Sequence, residues 1–211
     1  MQDDHVEADA IGQLNSSEAE LDLLWRPQDG FVPPLQEDSI EVASGTVQAS
    51  AQMFCMQYLS TASGFLLREY ERQGFTDAVM TDWEDNAVLG AVRTLTFVKH
   101  MPKAGMGPSK TRCVQNHGIT QVQDGKAVHV IFTTEQQMLD IPFSNSFLVC
   151  LRWVVTQTGD AECHVAVTLR IPFSKSCFVK GMIIRKTIDE TLPSVQTILD
   201  NISKDAAERN K

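Results

Sequence analysis

The sequence predicts an α+β domain in which a curved antiparallel sheet of about seven strands wraps a long C-terminal helix, with two short helices after the first strand. Three observations carry this. Apolar residues alternate with period two through most of 76–172, they recur with period 3.6 from Ser174 onward, and the joints between strands are short and rich in Gly and Asp.

The ordered pattern begins at Ser39, where SIEVASGTV reads as a strand ending in a Gly turn. In 48–75 the apolar residues Met53, Met56 and Leu59, then Phe65, Leu66 and Tyr70, recur at three and four, and the break near Ser60-Thr61 predicts two short helices meeting there. After Gly74 strands are predicted at about 76–84, 88–100, 110–123, 126–137, 145–157 and 160–172. Gln123-Asp124-Gly125 and Thr158-Gly159-Asp160 are hairpin-type joints, because Gly and Asp tolerate positive backbone dihedrals, so the neighbouring strands run antiparallel. Phe147, Val149, Leu151, Trp153 and Val155 share one face, as do Cys163, Val165, Val167, Leu169 and Ile171; these faces are expected to be the buried, concave one. The final helix carries the stripe Phe178, Met182, Ile184, Ile188, Leu192, Val195, Leu199 and Ile202, with a kink or restart expected at Pro193. Its apolar stripe needs the sheet's apolar face, and a sheet folded round a helix encloses space between them.

With 211 residues and 43% hydrophobic content the chain is long enough to bury a sizeable core. The formal net charge of −9 is concentrated at the start: residues 1–41 hold eleven Asp/Glu against Arg26 alone, leaving 16 acids and 17 bases in the rest. A near-neutral folded part excludes a nucleic-acid binder, which needs a concentrated basic face. Residues 1–38 are acidic, contain three Pro and lack sustained periodicity, so they are expected to form a disordered N-terminal tail whose removal leaves stability unchanged, with the domain at 39–207. Cys55, Cys113, Cys150, Cys163 and Cys177 are odd in number and lack a CxxC pair, which predicts buried cytosolic thiols. No apolar run approaches the roughly 20 residues of a spanning helix.

Three stretches, RTLTFVKHMPKAGMGPSKTRCVQ at 93–115, LDIPFSNSFLVCLRW at 139–153 and SKSCFVKGMIIRKTI at 174–188, resemble the VASt domain, the StAR-related lipid-transfer analogue of the START-like superfamily. The resemblance spans about 39–205, and the second stretch is the most specific. It implies a START-like helix-grip fold, a sterol-like ligand under the long helix, and a flexible loop over Met101–Ser109 acting as lid and membrane toe. The implied setting is cytoplasmic and peripheral to membranes.

Candidate residues divide into three groups. Met101, Lys103, Met106 and Pro108 lie on a Gly-hinged loop whose soft apolar tip suits a lid. Lys175, Lys180, Arg185 and Lys186 surround Phe178, a basic-aromatic cluster suited to an anionic membrane surface, with a solvated polar face as the bland alternative. Phe143, Trp153, Val155, Val167, Leu169, Phe178, Met182 and Ile183 are candidates for the lipid pocket, although singly each is also an ordinary core residue. A Gln, Ser or Thr on an inward strand position would serve a lipid hydroxyl.

His5, His100, His117, His129 and His164 fit no metal-ligand or catalytic spacing, and Cys163 and His164, adjacent on a strand, point to opposite faces. The expectation is therefore a binding and transfer module for a sterol-like lipid, with no catalysis, metal or cofactor. A protein-interaction module of the same fold with a filled core is the alternative, and a helix-grip enzyme a third reading.

Overall fold

The computed structural model describes residues 19–87, 90–101 and 108–211. Residues 19–24 are helical (α1) and precede a two-residue strand, β1 (Gln28–Asp29). Then come β2 (Ile40–Val47), the single turn α2 (Ala51–Phe54) running into a π turn over Cys55–Leu59, and α3 (Phe65–Arg72). The strands β3 (Thr76–Met80), β4 (Glu84–Asn86), β5 (Gly90–His100), β6 (Lys110–Asp124), β7 (Ala127–Met138), β8 (Val149–Gly159) and β9 (Glu162–Arg170) follow, and α4 (Lys180–Arg209) closes the chain. The main sheet path β2-β9-β8-β7-β6-β5-β3 holds seven strands, every neighbouring pair antiparallel; β4 adds to β5, and β1 lies parallel to β6.

Alternation explains where the core sits. In β8 the buried positions are Val149, Trp153 and Val155, and in β9 Cys163, Val165, Val167 and Leu169, as the period-two pattern predicts, with Thr168 on the other face buried as well. Trp153 lies between Phe132 of β7 and Val167 of β9 in the ladder, so one layer of large side chains crosses the sheet. The second half of α4 supplies Val195, Ile198, Leu199, Ile202 and Ala206 to the same core. It packs on β2, where a Cβ placed on Gly45 would meet Leu199 at 3.5 Å. Ser50 caps α2 by accepting from the Met53 amide at 3.1 Å. Phe54, Tyr58 and Phe65 stand edge to face at 5.3 and 4.9 Å and lock the short helices over one end of the sheet.

The helix-grip architecture expected from the sequence is the observed one, with boundary changes. The stretch 76–84 divides into β3 and β4, 145–157 begins as a strand only at Val149, and α4 starts at Lys180 rather than near Ser174. Pro193 does not restart the helix, which runs on through it; the Thr197 hydroxyl donates to the Pro193 carbonyl at 2.8 Å.

Residues 19–38 also differ from the tail expected over 1–38, whose first eighteen residues lie outside the described ones. Leu24 is fully buried, the Gln121 side-chain amide donates to its carbonyl at 2.5 Å, and the Arg26 amide donates to the Gln121 side-chain oxygen at 3.0 Å. The Glu20 carboxylate accepts from the amide of Thr61 at 2.5 Å, just past the π turn. Three side chains, Leu23, Leu24 and Trp25, are enough to dock an otherwise acidic segment. Leu24→Ala is accordingly expected to cost about 2–5 kcal/mol of stability in urea denaturation, the range for an emptied core position. A cost near zero would return this segment to the status of a tail.

Candidate functional site

The first half of α4 stands away from the sheet. Of its residues before Val195, Thr187 alone is buried among the described side chains, whereas five of the later ones are. Two connected grooves fill the gap. The inner one encloses about 480 Å³ between Tyr70, Gln73 and Phe75 on one side, Gln115, Thr134 and Gln136 on the sheet, and Thr187, Glu190 and Ser194 on the helix. The outer one encloses about 360 Å³ and is lined by Met101, Pro108, Ile141, Pro142, Phe143, Phe147, Val179, Met182 and Ile183. Met138, Thr187 and Glu190 border both, so the two volumes adjoin.

One side of α4 is tied down by polar links. Lys99 Nζ meets Glu190 at 2.7 Å, the Ser194 hydroxyl donates to Gln73 at 2.6 Å, Asn201 donates to the buried Glu69 carboxylate at 2.7 Å, and Tyr58 donates to Asp205 at 3.0 Å. These residues fall three or four apart, or seven, on one helix face. The Lys99–Glu190 pair is partly solvated and contributes modestly to stability, and both residues line the inner groove.

The inner wall is polar by construction. On β6 the inward phase holds Thr111, Gln115, His117 and Gln121 beside the apolar Cys113 and Ile119, and all six are buried. Arg93 on β5, itself buried, stacks over Trp83 with its guanidinium carbon 4.1 Å from the ring centroid. It donates through Nε to His117 Nδ1 at 3.1 Å and through Nη1 to Thr61 at 3.2 Å. His117 Nε2 lies 2.6 Å from Gln115 Oε1, the Tyr70 hydroxyl donates to that same oxygen at 2.7 Å, and Gln115 Nε2 donates to Gln136 Oε1 at 3.2 Å. Burial pushes the Arg93 guanidinium down to about 9, with Glu20 opposing, and holds His117 neutral, helped by the neighbouring Arg93. Burial raises Tyr70 to about 12.

The outer rim carries the other chemistry. Phe143, in the left-handed region at φ 65°, packs edge to face on Phe178 at 5.6 Å. Phe178 is 90% exposed and Met182 65%. Lys175, Lys180, Arg185 and Lys186 are exposed around them, with Lys180 Nζ 5.1 Å from the Phe173 ring centroid and Lys186 3.8 Å from Glu190.

The sequence-predicted site residues therefore separate. Phe143, Met182 and Ile183 line the outer groove, with Met101 and Pro108 at the ends of the lid loop; Lys103 and Met106 lie outside the described residues. Trp153, Val155, Val167 and Leu169 line neither groove and are packed core, because the second half of α4 fills the space above them. Phe178 faces outward rather than into a pocket. The polar residues of the inner groove, Tyr70, Gln73, Gln115, Thr134 and Gln136, and the Arg93–His117 network bonded to them were not anticipated by residue. The in-phase polar positions on β6 were the available signal. Among the described residues no group of three His, Cys, Asp or Glu is placed to hold a metal, and no helix is long and apolar enough to cross a membrane.

Comparison with known proteins gives one family and a distant set of structures. The model of the VAD1 Analog of StAR-related lipid transfer domain matches residues 41–190. Protein VASCULAR ASSOCIATED DEATH 1, chloroplastic, of Arabidopsis thaliana is 23% identical over 170 residues, a match covering 79% of this chain and 28% of that protein. The chain thus spans under a third of that relative's length. Norcoclaurine synthase from Thalictrum flavum, solved with dopamine and hydroxybenzaldehyde, is 16% identical with a TM-score of 0.42, covering 86% of this chain and 97% of that one. A conserved protein from Geobacillus kaustophilus is 10% identical with a TM-score of 0.44, covering 78% and 93%.

The buried, neutral His117 sets a pH dependence. Its folded pKa lies below the ordinary 6.5, so below pH 6.5 the unfolded chain binds the proton that the folded one refuses, and stability falls as pH falls. The decline from this group is at most about 1.4 kcal/mol per pH unit. His117→Gln, which does not titrate, is expected to flatten the curve between pH 6.5 and 5 in urea melts; parallel curves for both proteins would place the acid sensitivity elsewhere.

Proposed function

The chain belongs to the VASt family, and on that premise we propose that it binds a sterol-like lipid between α4 and the sheet and exchanges it with membranes. The observation that carries this is the pair of adjoining grooves beneath the helix, the outer one lined chiefly by apolar side chains and the inner one by apolar side chains with Gln73, Gln115, Thr134 and Gln136 among them. Their volumes fall in or near the range of small-molecule sites, about 300–1,000 Å³. A filled core, as the interaction-module alternative requires, describes only the region under Val195–Ala206.

Membrane contact is assigned to the outer rim. Phe178, Met182 and Phe143 form an apolar tip at the start of α4 and the turn before β8, and four bases ring it. Exposed apolar side chains of this size gain by entering an interface, and each nearby base adds up to about 1 kcal/mol at an anionic surface. The tip sits on the outer groove and beside Met101 and Pro108, so a lipid leaving the bilayer there meets the groove directly.

A non-enzymatic role is part of the same reading. Cys113, Cys150 and Cys163 are pushed up to about 11, 11 and 12, chiefly by burial, and Cys55 further still, which suits thiols that stay protonated.

Replacing Phe178 and Met182 together by Asp tests the assignment. Extraction of a fluorescent sterol from anionic liposomes should slow about tenfold or more, the equivalent of 1.4 kcal/mol. Thermal stability should change little, because both side chains are largely exposed. Unchanged extraction would remove the tip from the mechanism, and a matching loss of stability would show that the two residues are packed.

A further inference from the structure

We propose that Glu20 is a positioning residue for the inner groove: docked on Thr61, it fixes the orientation of the Gln115 amide through Arg93 and His117, and a ligand in the groove in turn tightens the docking of residues 19–26. This rests on the sterol-like reading above and adds to it control by a segment that precedes the matched family region at 41–190.

The links form a continuous series. The Glu20 carboxylate accepts from the Thr61 amide at 2.5 Å and from the Ala62 amide at 3.4 Å. The Thr61 hydroxyl accepts from Arg93 Nη1 at 3.2 Å, Arg93 Nε donates to His117 Nδ1 at 3.1 Å, and His117 Nε2 lies 2.6 Å from Gln115 Oε1. Gln115 lines the inner groove, as does Gln136, to which its Nε2 donates at 3.2 Å. A second tie reaches the same strand: Gln121, in phase with Gln115 and His117 on β6, is bonded to the Leu24 carbonyl and the Arg26 amide.

His117 gives this series two discrete settings. Arg93 can only donate, so its Nε–H makes His117 Nδ1 an acceptor, and the hydrogen of the neutral ring is on Nε2. Nε2–H then donates to Gln115 Oε1, which fixes that amide with its nitrogen toward Gln136. With Arg93 drawn away, the ring hydrogen moves to Nδ1 without penalty. Nε2 is then an acceptor that pairs with the Gln115 nitrogen, and the amide at the groove wall is reversed. The Tyr70 hydroxyl, which donates to Gln115 Oε1 in the first setting, serves the second by rotating its hydrogen, since it also accepts.

The docked segment decides which setting holds. Arg93 is buried and stacked on Trp83; burial works against its charge, and the field of Glu20 opposes that loss. Residues 19–26 are themselves held by the buried Leu24, the Glu20 carboxylate and the bonds to Gln121. A segment with so few buried contacts opens before the whole domain does. Opening removes the Glu20 field and uncovers Leu24 together, so docking of the segment and the orientation of Gln115 change as one.

The test titrates a fluorescent sterol into the full chain. Glu20→Ala, at a half-buried position remote from the groove, should weaken binding about 3- to 10-fold, the value of one net hydrogen bond at the wall. In a His117→Phe background, which keeps a ring against Phe132 and removes both nitrogens, Glu20→Ala should change the affinity by under about twofold. Saturating sterol should slow hydrogen exchange of the Thr61 and Arg26 amides by about the factor that Glu20→Ala costs in affinity, because coupling between two sites is reciprocal. Should the His117→Phe chain fail to melt cooperatively, the exchange measurement decides alone. Unchanged affinity in Glu20→Ala, an equal loss in both backgrounds, or amide exchange indifferent to sterol would each overturn the relay while leaving sterol uptake standing. Absence of sterol binding by the unsubstituted chain would overturn both.

Discussion

The rest of the structure depends on the unequal packing of α4. One helix carries two surfaces in sequence, and the sheet beneath it does the same. From Val195 onward the helix offers aliphatic side chains to β2 and the apolar face beside it, and the two surfaces close. Around the inner groove the helix presents Thr187, Glu190 and Ser194 beside Pro193, Val195 and Ile198, and the strands opposite present Gln115, Thr134 and Gln136 beside Met138, Val149 and Leu151. Where polar side chains face each other across the gap they do not close without satisfying their donors and acceptors, and a groove of mixed polar and apolar lining remains there. The cavity follows from chemistry at its walls rather than from missing side chains.

A polar wall of this kind has a cost that the surroundings must offset. Arg93 is a guanidinium in the protein interior without a carboxylate in salt-bridge range among the described residues, and the fall of its pKa to about 9 reports the desolvation. Stacking on Trp83, the bonds to His117 and Thr61, and the field of Glu20 are what hold it. Glu20 ties this balance to the segment before β2, which lies ahead of the matched family region at 41–190. That segment therefore adds more than coverage: it brings negative charge toward the buried cation and closes the end of the sheet with Leu24. A network whose members are nearly all engaged is also stiff, and its stiffness keeps Gln115 and Gln136 in fixed orientations at the groove.

Much of this architecture was legible in the sequence, and the failures have physical reasons. Period-two alternation located the five long strands β5 to β9 to within a few residues, because one face of each is more buried than the other, and it ran β3 and β4 together as one. The π turn and α3 were visible as two short helices meeting at Ser60, whose extended ψ of 149° ends the first. Period alone does not distinguish a side chain that fills a core from one that lines a cavity, so Trp153, Val155, Val167 and Leu169 read as pocket and are core. Phe178 sits in phase with the apolar stripe but just before the helix starts, which lets it point outward. In residues 19–38, composition dominated: a short Leu-Leu-Trp run was outweighed by the acids around it, although three apolar side chains suffice when a preformed edge of the sheet receives them. The polar inner wall was written into the alternate residues of β6, yet its meaning depended on which element would lie opposite.

The energetics of exchange with a bilayer follow from these walls. Moving sterol hydrocarbon from a membrane into an apolar groove gains little, because both environments exclude water equally well; the roughly 25 cal/mol per Å² that drives burial applies against water. In the proposed carrier, an apolar outer groove would make transfer reversible without favouring either side. On the proposed reading, affinity and selectivity rest on the polar side chains of the inner groove, Gln73, Gln115, Thr134 and Gln136. Each hydrogen bond made there is worth about 0.5–1.5 kcal/mol net. A difference of that size separates ligands without trapping them, and the pairs Lys99–Glu190 and Gln73–Ser194 tie the helix to the wall of that same groove.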